Sequence, residues 1–213
     1  MSDINDVFSE DDFFAETTTK KEVSDKTPAP KWIPFADGEY FAHISKVTTR
    51  EVETHSRTHK ALVYNFEVIV ADENSANTYT YPWGNTTYDT SGDEYAGKTL
   101  RARGVFRYLV PKEGDTFTAF PEGNKSFTYL CDALSVELPK ATKTIDGKEV
   151  VVKSLPMLKD ADFIGKPIIA VVGAGNKYIN KNGKEVTPKE VKFVKAWKDG
   201  KLKEIASDAE IPF

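Results

Sequence analysis

The chain has 213 residues, 39% of them apolar, with a formal net charge of −4 and a single cysteine. That length supports one sizeable core with small appendages, and the chain lacks the run of about 18 apolar residues that a membrane-spanning helix needs. Cys131 alone excludes an internal disulfide and suits a reducing cytoplasm.

Charge is segregated along the chain. Residues 1–30 hold eight carboxylates against three lysines, residues 204–213 add three further carboxylates, and residues 31–203 carry a net +4. A mildly basic body between acidic termini attracts phosphates, while the termini compete for the same surface. The first thirty residues have the composition of a disordered segment, interrupted by Val7-Phe8 and Phe13-Phe14. Those four side chains suggest either a docking peptide or a short helix laid on the body. The opening residues are acidic rather than basic and then apolar, so no signal peptide is expected.

From Trp32 onward the pattern is that of β structure. Residues 39–52 read as a first strand. Residues 61–70 put Leu62, Tyr64, Phe66, Val68 and Val70 at strict period two, the mark of a half-buried strand. The connection between them carries His55, Arg57, His59 and Lys60. Two histidines four apart chelate a metal only from one helix face, and neither cysteine nor a carboxylate cluster completes a ligand set. An exposed basic loop is the better reading, with Arg57 and Lys60 available to phosphates.

Tyr79, Tyr81, Trp83 and Tyr88 place four large rings within ten residues. In an extended chain Tyr79, Tyr81 and Trp83 share one face. That face is either a platform for unpaired bases, where stacking contributes about 1–3 kcal/mol per base, or the cap of a barrel end. Gly92-Asp-Glu-Tyr-Ala-Gly97-Lys98-Thr99 then matches the phosphate-binding P-loop in form. The motif works between a buried strand and a helix whose N-terminal N–H groups face the phosphates. Here residues 85–91 read as polar loop, and residues after Thr99 alternate as a strand. A glycine turn leading into a third strand is therefore expected. That strand, residues 98–110, sets Leu100, Ala102, Gly104, Phe106, Tyr108 and Val110 on an apolar face and Arg101, Arg103 and Arg107 on the other. Guanidinium groups in that position neutralise a phosphate backbone or stack on bases.

Phe127, Leu130, Leu134 and Leu138 recur at helical spacing over residues 125–138, and Pro139 stops the helix. Cys131 falls on its apolar side as a core residue. Residues 140–154 predict a hairpin turning at Asp146-Gly147, and residues 167–172 and 191–197 predict two more strands. Asn182-Gly183 and Asp199-Gly200 predict further tight hairpins, the first beside Lys177, Tyr178 and Lys181. Val172-Gly173-Ala-Gly175 is a weak dinucleotide fingerprint, because Tyr178 stands at the third glycine position. No nucleophile faces a convincing base and no spaced acidic motif appears, so neither a catalytic site nor a metal or cofactor is expected.

Three strands, a helix and two strands are the element order of the OB-fold, a five-stranded barrel with its helix between the third and fourth strands. The predicted fold is accordingly mainly β: an OB barrel over residues 31–203 with inserted hairpins, flanked by acidic segments at residues 1–30 and 204–213.

Gly38-Glu-Tyr-Phe-Ala-His-Ile, the helix Phe127-Thr-Tyr-Leu-Cys-Asp-Ala-Leu134 and Phe163-Ile-Gly-Lys-Pro-Ile-Ile-Ala170 together resemble a phage-type single-stranded-DNA-binding protein. The carboxylates of Glu204, Asp208 and Glu210 followed by Ile211-Pro212-Phe213 resemble the acidic tail of bacterial single-stranded-DNA-binding proteins. Those resemblances imply a cytoplasmic, non-enzymatic binder of single-stranded DNA in replication, recombination or repair, with its oligomeric state left open. They imply a groove using Arg101, Arg103, Arg107, Tyr79, Tyr81, Trp83, Tyr88 and the lysines of the late hairpin. They also imply that Asp208, Glu210, Ile211, Pro212 and Phe213 recruit a polymerase, helicase, primase or nuclease. Two other readings remain at this level: a protein-interaction adaptor that binds no nucleic acid, and a nucleotide-binding enzyme built on residues 92–99.

Overall fold

A computed structural model describes residues 32–53, 60–111, 117–119 and 121–205. Arg57 with its two flanking histidines, the acidic segment of residues 1–30, and Asp208, Glu210, Ile211, Pro212 and Phe213 lie outside the described residues. What is described is mainly β, as the alternating apolar pattern predicts.

β1 (Gly38–Glu53) and β2 (Lys60–Val70) form a long antiparallel hairpin, with Ala42 opposite Val70 and Glu53 opposite Lys60. A β-bulge between Ile44 and Lys46 re-aims the first strand. Before it, Tyr40, Ala42 and Ile44 are buried inward; beyond it, Lys46, Thr48 and Arg50 are exposed. β3 (Thr78–Trp83) and β4 (Thr86–Ser91) make a second hairpin, so the stretch expected to be polar loop is instead a strand. β5 (Thr99–Arg101) and β6 (Val105–Pro111) both pair with β2, and β7 (Phe117–Ala119) pairs with β6.

The helix α1 (Lys125–Ala133) follows. It is shorter than its leucine spacing suggests, because Ser135 adopts a φ of 57° and turns the chain out of the helix. Leu134 is still buried, while Leu138 packs on the core from the segment beyond. β8 (Lys140–Ile145) and β9 (Lys148–Lys153) form the predicted hairpin, with Asp146 and Gly147 both at positive φ. Two successive positive-φ residues are what a type I′ turn requires. β10 (Pro167–Ala174) pairs with β1, and β11 (Tyr178–Ile179) and β12 (Glu185–Val186) form a short hairpin. β13 (Lys189–Ala196) pairs with β10. Asp199-Gly200 makes a turn after β13, with the Gly200 N–H donating to the Trp197 carbonyl, but joins no two strands.

The main sheet runs β13-β10-β1-β2-β6-β7, with β5 also on β2. One parallel bridge joins Ala102 to Val191, and the Arg103 N–H donates to the Val191 carbonyl at 3.0 Å. No continuous ladder follows from that bridge, so the sheet does not close into a barrel. Inside it, Tyr40, Tyr64, Phe66, Phe127, Leu130, Phe163 and Ile168 are buried together. Residues 98–110 are not the single uninterrupted strand that their alternation predicts. The chain breaks at residues 102–104, where a Cβ on Gly104 would stand 2.8 Å from a Val63 methyl and 2.7 Å from Asn65 Oδ1. After that break the alternation is reversed relative to the core.

Candidate nucleic-acid interface

Directly opposed residues of paired strands project to the same side of a sheet. Tyr64 and Leu62 face the core, so their partners Val105 and Arg107 do as well. Arg107 is therefore not on the solvent face with the other two arginines. Its guanidinium donates to the Leu155 carbonyl at 2.9 Å, sits 5.9 Å from the Phe127 ring centroid, and leaves Nε buried without a hydrogen-bond partner. Arg107 is a structural clamp between β6, α1 and the segment before β10.

The same reversal turns Phe106 and Tyr108 outward, contrary to their assignment to the apolar face. Phe106 is 39% exposed, and its ring stacks on that of Tyr108 at 5.7 Å with 13° between planes. Asn124, fully buried just before α1, holds this strand: its Oδ1 accepts from the Tyr108 N–H at 2.6 Å and its Nδ2 donates to the Tyr108 carbonyl at 3.0 Å. A side-chain amide here takes the place of a neighbouring strand and fixes the ring pair.

The register extends this face across three strands. Arg50 stands opposite Val63, and Val63 opposite Phe106; Val52 stands opposite Ala61, and Ala61 opposite Tyr108. Thr48 lies opposite Asn65, and Lys46 and Arg101 both lie opposite Glu67. Two rings thus share one solvent face with Lys46, Arg50 and Arg101. Arg101 Nε donates to Glu67 Oε1 at 3.0 Å, an exposed pair that is weakly held. Lys46, Thr48, Asn65, Glu67 and Arg101 border a cleft of about 280 Å³ between these strands. Arg103 is exposed at the margin of the face, where the chain crosses to β13. Lys60 lies at the end of β2 and pairs with Glu51 at 2.9 Å; that hydrogen bond raises its pKa.

The rings expected to form the platform lie elsewhere. Tyr79 and Tyr81 do share a face, but it packs inward, leaving them 7% and 4% exposed. Tyr79 stacks on Tyr40 at 4.2 Å, and burial raises the pKa of both phenols. Its hydroxyl reaches the Glu39 carbonyl at 2.9 Å and Asn74 Oδ1 at 3.0 Å. Tyr88 is half-buried against Tyr81, at 5.9 Å, and only Trp83 of the four is exposed, on the β3–β4 hairpin. Tyr79 and Tyr81 thus pack into the core, while Trp83 stays outside it. On the β11–β12 hairpin Lys177 pairs with Glu185 at 2.7 Å, Tyr178 is exposed and Lys181 projects to solvent.

Both glycines of the P-loop-like stretch have structural causes. A Cβ on Gly92 would stand 1.8 Å from the Asn74 carbonyl oxygen, and Gly97 turns at a φ of +72° with its N–H donated to Val70. Residues 92–95 form a single 3-10 turn and Thr99 begins β5, so neither the preceding buried strand nor the following helix of a nucleotide loop is present. Among the described residues, no group of three His, Cys, Asp or Glu side chains is placed to hold a metal.

Lys46, Arg50, Asn65, Phe106 and Tyr108 were not singled out for this face by sequence reasoning. The signal that could have found the two rings is Gly104, a strand glycine that marks a bulge or close backbone approach. The signal for Lys46 and Arg50 is the polar alternation of residues 46–50, out of step with Tyr40, Ala42 and Ile44. No protein-family model, curated protein or solved structure matches this chain.

Proposed function

We propose that the protein is a non-enzymatic, sequence-independent binder of single-stranded DNA, with an OB-like body. The observation that carries this reading is the solvent face of β1, β2 and β6, where stacked Phe106 and Tyr108 stand in register with Arg50 beside Lys46 and Arg101. Rings that meet unpaired bases through their faces, bordered by cations that meet phosphates, bind single strands without reading sequence. The OB-like reading is supported by the strand neighbours. β1 lies between β2 and β10, β13 follows β10, the β5–β6 region bridges to β13 in parallel, and α1 falls between β6 and β10 in the chain.

The biological setting belongs to the same proposal: replication, recombination or repair DNA, of a phage, in the host cytoplasm. Among the described residues no helix is long and apolar enough to cross a membrane. Asp208, Glu210, Ile211, Pro212 and Phe213 form an acidic-apolar peptide suited to a basic, apolar pocket on a replication or repair enzyme.

The test is a fluorescence titration of the full chain with labelled oligo-dT at low salt, with rU and duplex competitors. Saturable binding resisted by duplex supports the reading. Absence of any binding rejects it in favour of a protein adaptor. Truncation after Glu210 should leave oligo-dT affinity unchanged or raised while removing the partner interaction; weaker DNA binding would contradict the role given to the tail.

A further inference from the structure

α1 and β13 bound a groove of about 430 Å³. Its walls are largely apolar, with Leu130, Val191 and Val194 at the bottom and two prominent rings at the rim. Those rings, Tyr129 and Phe193, are 60% and 54% exposed, an unusual cost in water for two aromatics facing one cleft. Cations lie near them, although Lys192 is paired with Glu190 at 3.0 Å and Lys195 with Glu39. Arg103 and Lys192 line the groove, Lys125 Nζ sits 5.9 Å from the Tyr129 ring, and Lys195 Nζ sits 5.9 Å from the Phe193 ring. Asp132 is the one carboxylate in the lining. β13 pairs with β10 on one edge, and among the described residues its other edge meets a strand region only at the Ala102–Val191 bridge. Residues 192–196 therefore present both an apolar cleft and a strand edge without a paired strand, the features that take up an extended peptide.

From this groove we infer that it is the docking site for the chain's own N-terminal segment, residues 6–14. Asp6-Val-Phe-Ser-Glu-Asp-Asp-Phe-Phe14 alternates carboxylates with Val7, Phe8, Phe13 and Phe14, and residues 1–16 contain six carboxylates and no lysine or arginine. The charge is opposite to that of Arg103 in the lining and Lys125 beside Tyr129. The dimensions are comparable: Phe8 and Phe14 in an extended chain lie about 20 Å apart, against about 17 Å from Val191 to Ala196 along β13. Residues 211–213 supply only two large apolar side chains within three positions, enough for one end. Seventeen residues separate Phe14 from Trp32, a contour of about 56 Å, against a diameter of about 40 Å for a body of this size. Tethering at an effective concentration on the order of millimolar makes a modest intrinsic affinity sufficient. Once docked, the segment's carboxylates lie beside Arg103, at the margin of the basic face.

Docking does not depend on DNA binding, so the measurement contains none. Hydrogen exchange is followed in the full chain and in its Phe8→Ala/Phe13→Ala/Phe14→Ala variant at several protein concentrations. Amides of residues 192–196 and 128–132 should exchange at least about threefold faster in the variant, while β1 and β2 stay unchanged. A second variant, Tyr129→Ala/Phe193→Ala, alters only exposed rings and should release protection within residues 6–14. Equal exchange in wild type and triple variant overturns the inference. So does loss of the same protection on Phe213→Ala, which assigns the groove to the C-terminal segment, or protection that rises with concentration, which assigns it to a second copy.

Discussion

Asn74 is fully buried, yet its amide is fully used. Oδ1 accepts from the Phe41 N–H at 2.9 Å and lies 3.0 Å from the Tyr79 hydroxyl, and Nδ2 donates to the Phe41 and Ala71 carbonyls at 2.8 and 2.7 Å. Asn74→Ala leaves those groups without partners away from water, so urea unfolding should show a loss of about 3 kcal/mol or more. At the outward rings the expectation is opposite. Phe106→Ala and Tyr108→Ala should each weaken oligo-dT binding by about 1–3 kcal/mol with little change in urea midpoint, whereas Tyr81→Ala should cost about 3–5 kcal/mol of stability through the cavity it leaves. A Phe106→Ala variant that binds normally would remove that ring from the interface. Burial pushes the Cys131 thiol up from 9.0 to about 11. The unfolded chain therefore loses this proton first, so the thiol's contribution to stability is present below pH 9 and lost between pH 9 and about 11. Cys131 should resist thiol reagents at pH 8 in the folded protein and react on unfolding; fast reaction of native protein would contradict its burial.

At the scale of elements, what is local in cause is what the sequence makes legible. Asp146-Gly147 predicts the β8–β9 turn because the positive φ values it needs, 49° and 74°, are properties of those two residues. β2 is legible for the same reason: five apolar residues at period two report a strand with one side in the core, although Ala61 and Val63 on its other side are buried as well. β4 is not legible, since Thr86-Thr-Tyr-Asp-Thr-Ser91 is polar and takes its strand form from pairing with β3. The β8–β9 hairpin is exposed along nearly its whole length. Replacing residues 142–151 by a short turn should therefore shift the melting temperature by no more than about 4 °C. A fall beyond 10 °C would show that the hairpin belongs to the body's cooperative unit.

For the whole molecule, the acidic termini and basic body make ionic strength the sharpest probe of function. Lys46, Arg50 and Arg101 together predict a slope of about −2 in log K against log salt, at about −0.7 per single-strand phosphate contact. Arg50→Ala should reduce that slope by about 0.7, and Tyr108→Ala should leave it unchanged while lowering affinity; a slope near zero in wild type would deny a phosphate-binding face. The linear chain by itself determined the long strands β1, β2, β10 and β13, where the tight hairpin turns, that Cys131 joins the core and that charge is divided between termini and body. Each of these follows from a residue and its near neighbours. Only the tertiary structure decided which side of each strand meets water. A bulge after Ile44 and the break at Gly104 each reverse the alternation, and whether a ring is buried depends on what packs against it. Tyr79 and Tyr81 therefore fill the core, while the exposed Phe106 and half-buried Tyr108, one residue either side of the inward-pointing Arg107, lie on the outer face.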